Sequence, residues 1–336
     1  MKAFITGSGS YVPERVVTNE ELAATLGLTS EQIFRSSGIR RRRWADPGTT
    51  TSSLASAALR LALDDAGIDP PGVDYLIFGT MTPDRFIPGT ATAVQKKVGL
   101  GEIPCVDIRV TCCNALYGMQ LAAALVKSST ARHVAVCLAD IQSVWLDLSP
   151  ASGNISMLFG DGASAFIVGE EEKESSLEIV DVLLASDGAH VDDLGIRSPG
   201  TEFGSCNTHD CDLLPKDHRP RMDGHSVILQ ASRRITAACR EVLQRNNKTT
   251  QDVRWIVPHQ ANANLLAQVA RALQFSVEAG GLISVIEDLG NTSSASMGLA
   301  LDNLRRSVRI QPGEYLLLPA FGAGFTWGAG LCRSSP

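Results

Sequence analysis

The feature that most limits what this chain can fold into is its near-repetition. In the front portion, a helical pattern over 54–63 ends at Ala66-Gly67 and gives way to a buried-strand pattern over 73–79. In the rear portion, a helical pattern over 228–243 gives way to a strand pattern over 253–257. The apolar spacing switches from helical to extended at both places. Next in the front come a strand over 105–110 and a helix over 114–126 rich in Ala, Leu and Met. Their rear counterparts are a strand over 282–286, the string Gly290-Asn291-Thr292, and a helix over 295–304. Finally, Leu158-Phe159-Gly160-Asp161-Gly162-Ala163 is echoed by Ala320-Phe321-Gly322-Ala323-Gly324-Phe325. Four matches in the same order argue for a duplicated βαβ-type unit on a mixed, mostly buried sheet, an α/β fold.

The halves are expected at 1–172 and 173–336. They divide at the solvated turn Glu170-Glu171-Glu172-Lys173-Glu174. Residues 197–224 are polar and rich in Pro, Gly, Asp and His, which reads as a long surface loop. The 336 residues exceed one ordinary core, so one large domain or two fused units is expected. With 30 Lys and Arg against 36 Asp and Glu, the net charge of −6 gives no pull toward nucleic acid or anionic membrane. The first residues break into Gly and Ser before a signal core can form, and the uncharged stretch 315–331 is too short and Gly-rich to span a bilayer. A cytoplasmic protein, bound to neither membrane nor nucleic acid, is the expectation. Eight scattered cysteines fit reduced, buried thiols.

Three polar residues occupy matching slots just after buried strands: Cys112, His259 and Asn291. Loops converge into sites at the carboxyl ends of strands in α/β sheets. Two halves packed about a pseudo-twofold axis would bring the three together. Cys112 opens a helix, where the dipole and free amides favour a thiolate, and a thiolate can attack a thioester and hold an acyl group. His259 can exchange a proton near neutrality. Asn291 cannot titrate; its amide can only orient a group or donate to an oxyanion. The backbone at Gly322-Ala323-Gly324 can approach a carbonyl closely and offer a second oxyanion donor.

Blander readings compete. A buried cysteine usually packs as a small hydrophobe, which is how Cys113 is read. A lone histidine is more often structural, and a Gly-Asn-Thr-Ser string is more often a turn. Placement in repeated slots favours the chemical reading. Cys206, His209, Cys211 and His218 lie close in sequence but match no zinc spacing, so no metal site is expected. The run Arg40-Arg41-Arg42-Arg43 fits either a phosphate or acidic partner, or a solvated basic turn. Gly7-Ser8-Gly9-Ser10 lacks the spacing and downstream acid of a dinucleotide site.

An ordered set of strings then carries a resemblance. They are Gly7-Ser8-Gly9-Ser10-Tyr11-Val12-Pro13, Ser37-Gly38-Ile39-Arg40, Val106-Asp107-Ile108 with Cys112, Phe159-Gly160-Asp161-Gly162-Ala163, Pro258-His259-Gln260-Ala261-Asn262, Gly290-Asn291-Thr292-Ser293, and Phe321-Gly322-Ala323-Gly324-Phe325-Thr326-Trp327-Gly328. Over essentially its full length the chain resembles the β-ketoacyl-carrier-protein synthase III family of the thiolase superfamily. The residues flanking Cys112 are most similar to specialised-metabolism members, such as alkylquinolone-signal synthases and enzymes that join two acyl chains.

The resemblance implies a layered αβαβα fold, a homodimer and a ping-pong Claisen condensation in polyketide or other specialised biosynthesis. Cys112 would be acylated by an acyl carrier protein or acyl-CoA thioester. His259 and Asn291 would stabilise the enolate of a malonyl- or β-ketoacyl-thioester. The amides of Cys112 and Ala323 would hold the oxyanion. Phe321 would sit against these groups, Ile87 would enter the partner's pocket, and Asn262 is kept in the substrate pocket, whereas His225 stands where the family carries an Asn that touches the pantetheine arm. No cofactor or metal is implied beyond phosphopantetheine-borne substrates. Gln32, Gly153 and Ser36 stand where housekeeping members carry the Trp and Arg groups that hold CoA. Leu229 and Asn264 stand where two basic residues dock the carrier protein. These losses favour a carrier-protein donor. The rival reading is an acyltransferase that moves the acyl group from Cys112 to a hydroxyl or amine. A papain-like Cys-His-Asn hydrolase fits the duplicated layout poorly.

Overall fold

A computed structural model describes residues 1–197, 200–201, 219–275 and 281–335. In the front half, β1 (Phe4–Tyr11) leads to a small ribbon, β2 (Val16–Thr18) and β3 (Arg41–Arg43), which brackets helices α1 (Asn19–Leu26) and α2 (Ser30–Ser37). Then follow α3 (Thr51–Ala66), β4 (Tyr75–Gly79), α4 (Ala91–Val98), β5 (Cys105–Ile108), α5 (Asn114–Lys127), β6 (His133–Asp140), the single turn α6 (Gly153–Ser156) and β7 (Gly162–Gly169). In the rear half come β8 (Leu177–Ser186), the short strands β9 (Leu194–Gly195) and β10 (Arg221–Met222), and α7 (Gly224–Arg245). After these run β11 (Val253–Ile256), α8 (Ala263–Ala272), α9 (Ile286–Leu289), α10 (Ser296–Ser307), β12 (Tyr315–Gly322) and β13 (Thr326–Ser334).

The large sheet has the order β11-β12-β13-β8-β1-β7-β6-β4-β5. Read outward from the β1–β8 junction, the two wings share one plan. β7 pairs antiparallel with β1 and β6. β13 pairs antiparallel with β8 and β12. β6–β4 and β12–β11 are the parallel pairs farther out. The turn from β7 to β8 spans the acidic segment that begins at Glu170.

Alternation along the strands builds the layers. On β6, Val134, Val136 and Leu138 join a central core with Leu116 and Met119 of α5 and Leu301 and Leu304 of α10. The intervening Ala135, Cys137 and Ala139 face α3 and α4. On β12, Leu316 and Leu318 face the same central helices, while Leu317 and Phe321 face α7 and α8. The result is five layers, αβαβα, with α5 and α10 in the middle. These two helices carry apolar residues around much of their circumference because both sides meet a sheet.

One sequence reading changes here. The expected strand over 282–286 is reduced to a bridge between Ile256 and Leu282, and α9 begins at Ile286. The Gln260 side chain replaces the missing strand neighbour: its Nε2 donates to the Ile283 carbonyl at 3.2 Å and its Oε1 accepts from Val285 N–H at 3.0 Å. Gly7 and Gly9 let β1 lie against α3. A Cβ at Gly9 would stand 2.4 Å from the Ala58 carbonyl oxygen and 2.4 Å from the Ala62 nitrogen. Among the described residues, no helix is long and apolar enough to cross a membrane.

Gly9→Ala should therefore destabilise the protein by about 1–3 kcal/mol through overpacking against backbone. Gly188, with open space around its Cβ position, is the control. Denaturant midpoints that shift equally in Gly9→Ala and Gly188→Ala would contradict the packing.

Candidate active site

After β5 the chain passes Val110 and makes one 3-10 turn, Thr111–Cys113, which runs directly into α5. Thr111 has φ 51°, a left-handed conformation that a branched residue adopts only under constraint. Asn114 supplies part of it: its Oδ1 accepts from Val110 N–H at 2.7 Å. The hydroxyl of Thr111 donates to the Ala323 carbonyl at 3.2 Å, which ties this turn to the end of β12. A Cβ at Gly322 would stand 2.2 Å from the Thr111 hydroxyl, so only glycine permits that approach. Cys113 turns away and is fully buried, with Sγ donating to the Thr326 carbonyl at 3.4 Å.

His259 follows β11, held by its own N–H to the Pro319 carbonyl at 2.9 Å. Its Nδ1 lies 2.6 Å from Ser296 Oγ at the first position of α10. That oxygen also accepts from Gln260 N–H at 3.1 Å. With the Ser296 hydroxyl donating to Nδ1, the imidazole proton is carried on Nε2; with Nδ1 donating to the hydroxyl, Nε2 is the acceptor.

Asn291 precedes α10. Its Oδ1 accepts from Ser293 N–H at 2.9 Å, and Nδ2 donates to the Ala261 carbonyl at 3.4 Å, leaving one amide hydrogen unspent. Ser293 Oγ stands 3.9 Å from Cys112 Sγ. Ser294 links both turns. Its N–H donates to Asp140 Oδ2 at 2.8 Å, its hydroxyl accepts from Asn114 Nδ2 at 2.8 Å and donates to the Thr111 carbonyl at 3.3 Å. Asp140 is fully buried, and burial raises its carboxyl above the ordinary range. Sequence reading missed Ser293, Ser294 and Ser296. Their only signal was a serine-dense string at a helix start, which reads equally well as a turn.

One cavity joins these groups. Cys112, His259 and Asn291 all line it, together with Phe321, Gly322 and Asn262. Among the described residues, no charged side chain is among its walls. That apolar setting governs the titrations. Burial pushes the Cys112 thiol up to about 12, against a smaller lowering by the Ser293 hydroxyl. The dipole of α5 therefore does not yield a resting thiolate here, contrary to the sequence expectation. Burial lowers His259 to about 4, so its imidazole is neutral at physiological pH. The pair in the empty site is thiol and neutral imidazole.

Other singled-out residues fall elsewhere. Asn262 caps α8 and donates from Nδ2 to the Ser36 carbonyl at 2.9 Å. His225 is exposed near the start of α7, and its neighbour Gly224 lines the cavity instead. Ile87 is 78% exposed and is not a cavity wall. Ala323 lies one residue past the wall formed by Phe321 and Gly322. Gln32 is spent in a capping box with Thr29. Gly153 admits no larger residue, since a Cβ would stand 2.6 Å from the Leu26 carbonyl oxygen. Ser36 bonds the Gln32 carbonyl at 2.6 Å. Asn264 donates to the Ser36 carbonyl at 3.1 Å, and Leu229 is exposed. The arginine run is consumed internally: Arg40 pairs with Glu287 at 2.6 Å, Arg41 with Asp288 at 2.8 Å, and buried Arg42 donates to the Met157 carbonyl at 2.6 Å. Cys206, His209, Cys211 and His218 lie outside the described residues. No cluster of metal ligands occurs among the described ones.

Duplicated αβαβα layers with a half-buried cysteine on the wall of an apolar cavity define a thiolase-fold enzyme. Two family models match, 3-oxoacyl-(acyl-carrier-protein) synthase III over 106–188 and its C-terminal counterpart over 243–334. The β-ketoacyl-(acyl-carrier-protein) synthase III of Nitratidesulfovibrio vulgaris is 36% identical over 98% of both chains. The solved 3-oxoacyl-(acyl carrier protein) synthase III of Pseudomonas aeruginosa superposes with a TM-score of 0.89 at 32% identity, over 100% of this chain and 99% of that one. The priming β-ketosynthase of a polyketide pathway gives 0.88 at 33% identity, over 99% and 96%. The chain belongs to the 3-oxoacyl-(acyl-carrier-protein) synthase III family and is a condensing enzyme of the acyltransferase class.

Two titrations check the site. Alkylation of Cys112 in the empty enzyme should still be climbing at about pH 8.5, the ordinary thiol range; a plateau below about pH 7 would contradict its apolar setting. His259 is depressed in the folded state, so the unfolded chain takes up its proton first. Stability should fall as pH drops from 6.5 toward about 4. His259→Gln should flatten that segment of the stability curve, and an unchanged slope would show that His259 is not the group responsible.

Proposed function

We propose that the enzyme joins two acyl units by Claisen condensation in specialised metabolism, with Cys112 as the acyl carrier. The observation that supports this most directly is the single cavity shared by Cys112, His259 and Asn291. In the first half-reaction, Cys112 Sγ attacks the donor thioester carbonyl. The donor C–S bond breaks, and the departing thiol takes the proton that Cys112 gives up. The amides of Cys112 and Ala323 are assigned to the oxyanion, a role consistent with the close approach of Gly322 to the Cys112 turn.

In the second half-reaction, a malonyl- or β-ketoacyl-thioester presents its carbonyl oxygen to His259 Nε2 and the free hydrogen of Asn291. Neutral donors suit a developing enolate, because they stabilise it without transferring a full proton. With the Ser296 hydroxyl donating to Nδ1, the histidine proton sits on Nε2, and Ser293 N–H fixes the amide orientation. The enolate forms as a malonyl thioester loses CO2 or as a β-ketoacyl thioester gives up its α-proton. Its carbon bonds to the acyl carbon, and the bond to Cys112 sulfur breaks. The sulfur takes up that α-proton or, after decarboxylation, one from water.

The rival, transfer to a hydroxyl or amine, calls for a base facing the acceptor. Among the described residues no carboxylate lines the cavity, and Asn291 cannot serve. The carrier-protein donor is supported by Gln32 and Gly153: the first is committed to a helix cap and the second has no room for a side chain. The proposed enzyme acts as a homodimer, with Ile87 at the partner's pocket.

Intact-protein mass spectrometry tests the division of labour. Cys112→Ala should abolish the acyl mass increment, and Cys113→Ala should retain it. Asn291→Ala should cut condensation at least a hundredfold, the scale of a lost oxyanion donor, while Cys112 acylation stays within a few-fold. Equal loss of both steps would remove Asn291 from the enolate role. Acetyl-CoA should load Cys112 more slowly than an acyl-carrier thioester.

A further inference from the structure

The cavity does not stop at the reactive groups. It continues into the rear half, between the sheet and the two outer helices. Its walls there are Val227 and Ile235 of α7, Ile256 of β11, and Leu266, Val269 and Ala270 of α8. Protein interiors are normally packed without such space. Each of the last five side chains is at most 6% exposed, so this is an internal pouch and not a surface groove. Leu282 extends the wall beside Ile256 at the bridge where the expected strand is missing. Ile87 contributes nothing to it.

We infer that this pouch under α7 and α8 binds the alkyl chain of an acyl thioester whose carbonyl reaches the Cys112–His259–Asn291 end. The chemistry of the walls selects the ligand. A carboxylate or phosphate entering the pouch would lose its water and meet no cation among the described residues. An alkyl chain gains from every methylene it buries. Asn262 and Met222 line the same cavity, and the proposal places the polar thioester arm against them. The two sources of such a chain are the acyl group carried on Cys112 and the second, condensing thioester. The inference rests on the proposed function only for what happens after binding.

The binding arm needs no turnover. Cys112→Ala protein is titrated with acetyl-, octanoyl- and dodecanoyl-pantetheine by calorimetry. Affinity should rise with chain length by up to about fourfold per buried methylene. Ala270→Leu should narrow the pouch and cost the longest chain at least tenfold, leaving acetyl-pantetheine within twofold. Leu266→Ala should shift the preference toward longer chains, which guards against a variant that merely folds poorly. Affinity independent of chain length, or equal effects of Ala270→Leu on short and long chains, would overturn the pouch.

The second arm identifies the source, using Ala270→Leu with Cys112 intact. Slower loading of dodecanoyl but not acetyl groups onto Cys112 assigns the pouch to the covalent chain. Unchanged loading with reduced coupling of a long β-ketoacyl thioester assigns it to the second substrate. If both steps keep their chain-length preference, the inference fails. If no carbon–carbon product forms with any extender while chain-length-dependent binding persists, the condensation reading fails and the pouch stands.

Discussion

The structure depends on a buried set of hydrogen bonds centred on Ser294. Its N–H and hydroxyl reach Asp140, Asn114 and the Thr111 carbonyl, so one residue of the rear half grips three of the front half. Thr111 and Ser293, on either side of this knot, have φ of 51° and 50°. Neither conformation is favourable for its residue type alone. The knot over-determines both turns and offsets their local cost. The result is that the Cys112 turn and the Asn291 turn cannot move independently.

The five-layer arrangement makes such a knot affordable. Placing α5 and α10 between two sheets excludes water from their first turns, where these polar groups meet. Unpaired there, each would cost about 1–3 kcal/mol; paired, they specify one arrangement. The same exclusion of water sets the chemistry. It keeps the Cys112 thiol protonated and His259 neutral at physiological pH. This differs from a cysteine activated in advance by a helix terminus, and it fits a site that must avoid reacting with stray electrophiles.

The cavity's apolar character joins the catalytic end to the pouch beneath α7 and α8. One surface thus serves two ends: it tunes proton affinities near Cys112 and offers an alkyl chain a dry place farther in. The gap beside Leu282, where Gln260 satisfies backbone that a strand would otherwise pair, lies along the same wall. Losing a strand there costs little because a side chain covers the exposed polar groups.

Much of this was legible in the sequence. The duplicated order of helices and strands follows from periodic apolar spacing, a local property of the chain. Cys112, His259 and Asn291 could be picked out because each followed a buried-strand pattern at the matching slot of a repeat, although before Asn291 that pattern forms only a single bridge. Other features were decided only by tertiary packing. Ser296 orients an imidazole 37 positions away, and Ser294 bonds groups up to 183 positions away. No local pattern distinguishes such serines from those of an ordinary turn. The raised Cys112 thiol likewise reflects water excluded by many distant side chains, which outweighs the local helix terminus. The arginine run was misleading for the same reason: its partners Glu287 and Asp288 come from the far half of the chain. Periodicity is written residue by residue, whereas solvation and partnership exist only once the halves have closed on each other.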